Sequence, residues 1–283
     1  VKTSKTGALS SDKGTRFVQR AGGLATSSHS MASSLDSAQA GKAVKALYAW
    51  LKKEAKKKDS SAQLLGGNGA DDFFHLSVSL KKTKPERKDK PIRIQISNPL
   101  YDLEEAESCL IVKDVAGEGK KAAKEKLRDG NILGVTKVLR VSNLKKKFAT
   151  HEQKRQLCKD YALFLADTRI LPLLPKLLGK TFFKKKKQPV PVDLRGSDAK
   201  WKKNIQEAIT GTYVHLSGGS NFTVRIGRPE EHSPKQVLDN LLEVADKLSG
   251  MESIGKWKNI QRMYVKTTSS VSLLIYSSDG SKE

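Results

Sequence analysis

Residues 161–194 constrain the fold more than any other part of the chain. YALFLAD is an apolar run with no polar face, and it reads as a buried strand. ILPLLPKLLGK follows as a short apolar element punctuated by prolines. Phe182 and Phe183, then Lys184, Lys185, Lys186 and Lys187, lead into QPVPVDL, which reads as an extended linker. Upstream, ESCLIVKD reads as a strand, AGEGKKAAKEKLRDG as a turn and helix, VTKVLRVS as a strand and THEQKRQLCKD as a helix. Strands alternating with helices predict a small parallel α/β unit.

The flanks have another character. The apolar residues Val44, Leu47, Tyr48 and Leu51 fall at helical spacing. FFHLSVSL and PIRIQIS read as two strands joined by the charged loop KKTKPERKDK. After Pro191, SDAKWKKNIQEAITG reads as an amphipathic helix capped by Ser197 or Asp198. TYVHLSG and NFTVRIG read as a hairpin around Gly218-Gly219. SPKQVLDNLLEVADKLSG is a helix with Ser233 as N-cap and Pro234 at its first position. IQRMYVKTT and VSLLIYSS are closing strands. Residues 1–40 are Ser-, Gly-, Ala- and Lys-rich without apolar periodicity, and are expected to be a disordered basic leader.

Charge narrows the function. There are 53 Lys plus Arg against 30 Asp plus Glu, a net charge of +23. Such an excess repels itself unless a polyanion neutralises it. No apolar run reaches the roughly 18 residues of a membrane span, so no membrane partner is expected. Aromatic residues make up 6% of the chain, too few for base stacking to dominate. Cys109 and Cys158 both lie in apolar-patterned stretches and are expected to be reduced.

Catalytic motifs are weak. Gly117, Gly119 and Ala122 make a G-x-G-x-x-A turn between strand and helix, but Ser142 and Asn143 stand where a ribose-binding acid belongs. Gly179-Lys180-Thr181 lacks the first glycine of a phosphate loop, since position 174 is Leu. The histidines His29, His75, His151, His215 and His232 are dispersed, without metal-ligand spacing. The expectation is no enzyme, no metal, no nucleotide and no other cofactor.

Several segments carry a family resemblance. FLADTRILPLLPKLLGKTFFKKKKQPVPVDL, VRIGRPEEHSPKQVLDNL, YVKTTSSVSLLI and PIRIQISNPL together resemble the ribosomal protein L1 family, in its eukaryotic ribosome-biogenesis branch. Ile226, Gly227, Leu238 and Asn240 stand in register with that family, and the likeness spans about residues 41–277. The resemblance implies an α/β two-domain L1-like fold. A split β-α-β (α+β) domain, 41–100 and 190–283, is interrupted by a Rossmann-like α/β insert, 101–189. One departure stands out. Ribosomal L1 proteins proper carry a Thr-Met-Gly-Pro turn, where this chain has Thr268, Ser269, Ser270 and Val271.

The resemblance further implies a pre-ribosomal RNA-binding assembly factor in the nucleolus. It would be a monomer within a large ribonucleoprotein, alongside other ribosome assembly proteins. The short C-terminal tail points to the small-subunit precursor. A large-subunit precursor factor, the large-subunit ribosomal protein itself and a protein-interaction adaptor are the alternatives. RNA-contact candidates are Lys81, Lys82 and Lys84 in the charged loop, and Arg93, Arg225, Arg228 and Lys266 in the segments of likeness. Thr267, Thr268, Ser269 and Ser270 offer hydroxyls suited to phosphate or 2′-hydroxyl groups. Lys184 to Lys187 form a run that reads equally as a solvated patch, an import signal or a phosphate contact. The proline-bearing crossings near residues 98–103 and 188–192 are expected to be free connectors that let the domains move.

Overall fold

The computed structural model describes residues 35–58, 72–83, 90–103, 107–114, 119–216 and 218–278. It is a mixed α/β protein with two main sheets.

The first sheet is antiparallel and four-stranded, made of β1 (Phe74–Leu80), β8 (Asn221–Gly227), β9 (Ile260–Lys266) and β10 (Leu273–Ser277) in the order β10-β9-β1-β8. Apolar and polar residues alternate along β1, so Leu76 and Val78 share one face with Val224, Met263 and Val265. Helices α1 (Ser37–Lys58) and α8 (Pro234–Gly250) cover that face with Val44, Leu47, Val237, Leu241, Val244 and Leu248, all buried. Ser233 opens α8 through a capping box with Gln236, and Pro234 follows it. Gly227 ends β8 where a Cβ would lie 2.8 Å from Val237 Cγ2, so only glycine lets strand and helix approach this closely.

The second sheet is parallel. It contains β3 (Ser108–Val112), β4 (Val135–Arg140), β5 (Leu163–Asp167) and β6 (Val190–Val192) in the order β4-β3-β5-β6. Every residue of β3 and β5 is buried, because both faces are covered. One face packs on α2 (Lys120–Asp129) and α7 (Asp198–Thr210) through Ala123, Trp201, Ile205 and Ile209. The other carries α3 (Val141–Lys147), α4 (His151–Asp160), α5 (Leu174–Leu178) and α6 (Lys180–Lys184). There Phe164 meets Phe182 edge-on, with ring centroids 4.9 Å apart. Cys109 and Cys158 are buried in this layer and are not joined by a disulfide. A two-stranded ribbon of β2 (Ile92–Ile94) and β7 (Thr212–Val214) completes the sheets.

Several expectations are corrected. The first helix starts at Ser37, inside the expected 1–40 leader; the Asp36 carboxylate accepts from Ala38 N–H at 2.8 Å and opens it. The rest of that leader, 1–34, lies outside the described residues. Residues 190–192 belong to the parallel sheet rather than to the flanking domain. They are a paired strand and not a free connector: Val190 pairs with Leu165 and Val192 with Asp167. Pro191 is tolerated because β6 is an edge strand, where a missing N–H costs no ladder bond. β7 pairs with β2 rather than forming a hairpin with β8, and β1 and β2 sit in different sheets. β4 ends at Arg140 and α3 starts at Val141, with Asp114 accepting from the Ser142 N–H (2.6 Å) and hydroxyl (2.9 Å) in its first turn.

The other crossing is pinned as well. Asn98 N–H donates to Asn240 Oδ1 at 3.0 Å, Ser97 N–H donates to Glu243 at 2.8 Å, and the Pro99 carbonyl lies 2.9 Å from His232 Nε2. Residues 97–99 are thereby tied to α8 and to the loop before it.

Candidate nucleic-acid interface

β1 sits between β8 and β9, and its register sets three cross-strand rows on the face away from α1 and α8. Arg225, His75 and Lys266 form the first; Thr223, Ser77 and Tyr264 the second; Asn221, Ser79 and Arg262 the third. Directly opposed residues on neighbouring strands have Cβ atoms roughly 5 Å apart, so each row is a continuous polar band. Most of these side chains are half-buried or exposed. The face is a platform of hydroxyls, amides and cations.

The first row meets the end of α6. Arg225 donates to the Lys186 carbonyl at 2.7 Å and to the Tyr101 hydroxyl at 3.3 Å, and its guanidinium lies 4.2 Å from the Phe73 ring centroid. Lys186 is in the left-handed region, with φ of 54°, which turns its carbonyl toward Arg225. The structure therefore gathers Arg225, Lys266 and Lys186 around His75, although they come from β8, β9 and the turn after α6.

That concentration of positive charge shows in the titration of its neighbours. Burial, then Lys186, Arg225 and Lys266, push His75 down to about 3. Burial, then Arg225, pushes His215 down to about 4. Desolvation, then Lys266 and Arg225, lowers the Lys186 ammonium. Both histidines are thus neutral in the folded protein at neutral pH, while the unfolded chain protonates them near 6.5. Below that value the unfolded state binds more protons, so stability falls as pH falls. Between pH 6.5 and 5 each histidine should contribute a loss of up to about 1.4 kcal/mol per pH unit. Denaturant midpoints across that window check this; the slope should flatten in His75→Gln/His215→Gln, and an equal slope in that variant would refute it.

The other candidates fall elsewhere. Lys184, Lys185 and Lys186 are exposed, but Lys187 turns inward and donates to the carbonyls of Cys158 (3.3 Å) and Tyr161 (3.4 Å). The lysine run therefore divides, and Lys187 has a structural task. Thr267 is buried; its N–H donates to Ser270 Oγ at 2.8 Å and its Oγ1 accepts from Ser270 N–H at 3.1 Å. That turn consumes two of its own hydroxyls and leaves Thr268 and Ser269 outward, beside Val271, which is 76% exposed. Arg93 is on the β2–β7 ribbon, paired with Glu207 at 2.6 Å. Arg228 pairs with Glu231 and lies 5.7 Å from the rings of Phe73 and Tyr101. Lys81 and Lys82 are exposed at the opposite end of β1 from His75, roughly 20 Å away at strand rise. Lys84, with the remainder of that loop, lies outside the described residues.

The platform contains residues that sequence reasoning had not marked: His75, Ser77, Ser79, Asn221, Thr223, Arg262 and Tyr264. The signal was present in FHLSVSL, whose polar residues fall at every second position. Gly119 caps α2, Gly117 lies outside the described residues, and Asp114 is engaged by Ser142. Among the described residues no group of three or more His, Cys, Asp or Glu is placed to hold a metal ion, and no helix is long and apolar enough to cross a membrane.

Comparison with known proteins agrees with this architecture. A Schizosaccharomyces pombe protein, C8F11.04, whose name assigns it provisionally to ribosome biogenesis, is 34% identical over 207 residues, covering 73% of this chain and 54% of its own length. Ribosomal L1 domain-containing protein 1 of Mus musculus is 32% identical over 250 residues, covering 86% of this chain and 52% of its own. The large ribosomal subunit protein uL1 of Methanothrix thermoacetophila is 25% identical over 135 residues, covering 48% of this chain and 61% of its own. The chain spans about half the length of the first two relatives. Residues 50–271, which hold the parallel sheet, strands β1, β8 and β9 of the antiparallel sheet and the whole polar platform, match the ribosomal protein L1p/L10e family. The chain belongs to that family, on the side of its eukaryotic ribosome-biogenesis members.

Proposed function

We propose that the chain is a non-enzymatic RNA-binding factor of ribosome assembly that engages structured pre-ribosomal RNA. The polar platform on β8, β1 and β9 carries this reading: three rows of hydroxyls, amides and cations on one sheet face, within a chain of net charge +23. Lysine and arginine neutralise phosphates, and hydroxyls suit phosphate and 2′-hydroxyl groups, so recognition is of shape and backbone more than of base sequence. The names of the relatives, ribosome biogenesis among them, support the same role.

The antiparallel sheet with α1, α8 and the β2–β7 ribbon is, in this reading, a split RNA-binding domain. The parallel sheet and helices α2 to α6 are a Rossmann-like insert running to Val192, and α7, which follows it in the chain, packs on one face of that sheet. The protein works as a monomer inside a nucleolar ribonucleoprotein, beside other assembly proteins and without a cofactor. Of the two precursor particles, the small-subunit one is our assignment. Crosslinking and sequencing of bound RNA decides it, and reads on large-subunit precursor RNA would move it.

Affinity for a structured RNA should fall steeply with salt, log K against log salt having a slope of about −0.7 to −0.9 per phosphate neutralised. A slope near zero would show that the excess charge is not used on RNA. An adaptor that holds only proteins would show no RNA affinity and would keep its partners after nuclease treatment.

A further inference from the structure

Several arginines of this protein have an acid beside them. Arg93 has Glu207, Arg169 has Asp167, Arg140 has Asp114 and Arg228 has Glu231. Arg225, Lys186 and Lys266 depart from that pattern. Among the described residues, none of the three has a carboxylate within 4.0 Å. Yet they converge: Arg225 and Lys266 flank His75 on adjacent strands, and Arg225 bonds the backbone of Lys186.

The cleft at this meeting point has a volume of about 330 Å³. Lys186, Arg225, His75, His215, Tyr213 and Thr223 line it, and no Asp or Glu does. Its size is at the small end of ligand cavities, which run roughly 300–1,000 Å³. Like charges brought together in a partly desolvated cleft repel each other. Burial first, and then the charges of Lys266 and Arg225, lower the Lys186 ammonium, and no acid lines the cleft to offset them. An anion would. Arg225 and Lys186 in one lining, with Lys266 on the far side of His75, suit a tetrahedral oxyanion, because the planar fork fixes orientation and the lysines add point charge.

We propose that this cleft is a phosphate-binding cavity in which Lys186 and Arg225 hold one phosphoryl group, with Lys266, across His75 from Arg225, adding its charge from beside the lining. The proposal rests on the RNA reading only for the origin of that group, since the shared chemistry is phosphate from RNA or from a free polyphosphate. The cavity adds to the sheet platform a position where a phosphoryl group is enclosed instead of lying across an open face.

Pyrophosphate at constant ionic strength is the probe, with the full chain. The imidazole signals of His75 and His215 should shift saturably, while exposed His151 on α4 stays unmoved. Lys186→Gln/Lys266→Gln should weaken pyrophosphate by about tenfold or more, since a charge-assisted hydrogen bond contributes at least about that factor. Lys81→Gln/Lys82→Gln makes the same charge change at the far end of β1 and should leave pyrophosphate binding intact. A hairpin RNA measured on the same variants identifies the source. Loss of both affinities in the first variant assigns the phosphate to RNA; loss of pyrophosphate alone assigns it to a free polyphosphate. No saturable histidine shift in the unmodified protein, or equal weakening by both variants, overturns the cavity. RNA binding without the pyrophosphate effect removes the cavity and leaves the RNA reading standing; the converse result does the opposite.

Discussion

Asn240→Ala is expected to destabilise the protein by about 3–5 kcal/mol, a size reserved for broken buried polar networks. Asn240 is fully buried on α8. Its amide donates to the carbonyls of Asn98 (2.8 Å) and Ile226 (2.9 Å), and its oxygen accepts from Asn98 N–H (3.0 Å). One side chain therefore joins the end of β8, helix α8 and the crossing that leads into the parallel sheet. Alanine leaves three backbone groups without these partners, each costing about 1–3 kcal/mol where water cannot replace them. Asn240→Asp keeps the shape but sets a carboxylate against two carbonyl oxygens, so it should be no better than alanine. Chemical denaturation of both variants measures this. A loss below about 1 kcal/mol for alanine, within the range of ordinary surface substitutions, would mean that water or a local shift replaces the network.

Asn240 also shows how much of the fold was legible. Its place in the segment VRIGRPEEHSPKQVLDNL marked it through the family resemblance, and the Ser233 cap and Pro234 fixed where its helix begins. What it bonds was not legible, because Asn98 lies 142 residues away in the chain. The same division holds elsewhere. YALFLAD and SCLIV announce buried strands by composition alone; SCLIV, and LFLAD within the first, are buried throughout. VPV was hidden by its prolines, since edge position decides whether a proline is tolerated and edge position is a tertiary property. Gly218-Gly219 signals a turn but not the partner of the strand before it, and β7 found β2. The basic site behaves alike. Each cation was visible, but only strand register sets Arg225 and Lys266 beside His75, and only the turn after α6 brings Lys186 to them. Arg93 and Arg228 were equally plausible by sequence and are paired with acids that no local pattern reveals.

Reversing the charge of the platform should lower RNA affinity far more than reversing the same number of charges elsewhere. Arg262 and Lys266 lie on one face of β9, four residues apart, with Tyr264 between them on that face. Their spacing of roughly 13 Å along the strand is more than one phosphate group spans, so RNA would meet them with separate phosphates. Each charge-assisted contact is worth about 1.5–3 kcal/mol, so Arg262→Glu/Lys266→Glu should weaken binding to a structured RNA by about 100-fold or more at low salt. The log–log salt slope should become shallower by about 1.4–1.8, two phosphates' worth. The loss should be nearly the same for RNAs of different sequence, because backbone contacts carry no base information. Lys145→Glu/Lys146→Glu introduces an identical change in net charge on exposed lysines of α3, against the parallel sheet, and separates the local effect from the global field. If both double variants weaken RNA binding equally, the sheet face is not the interface, and the protein attracts RNA by net charge alone.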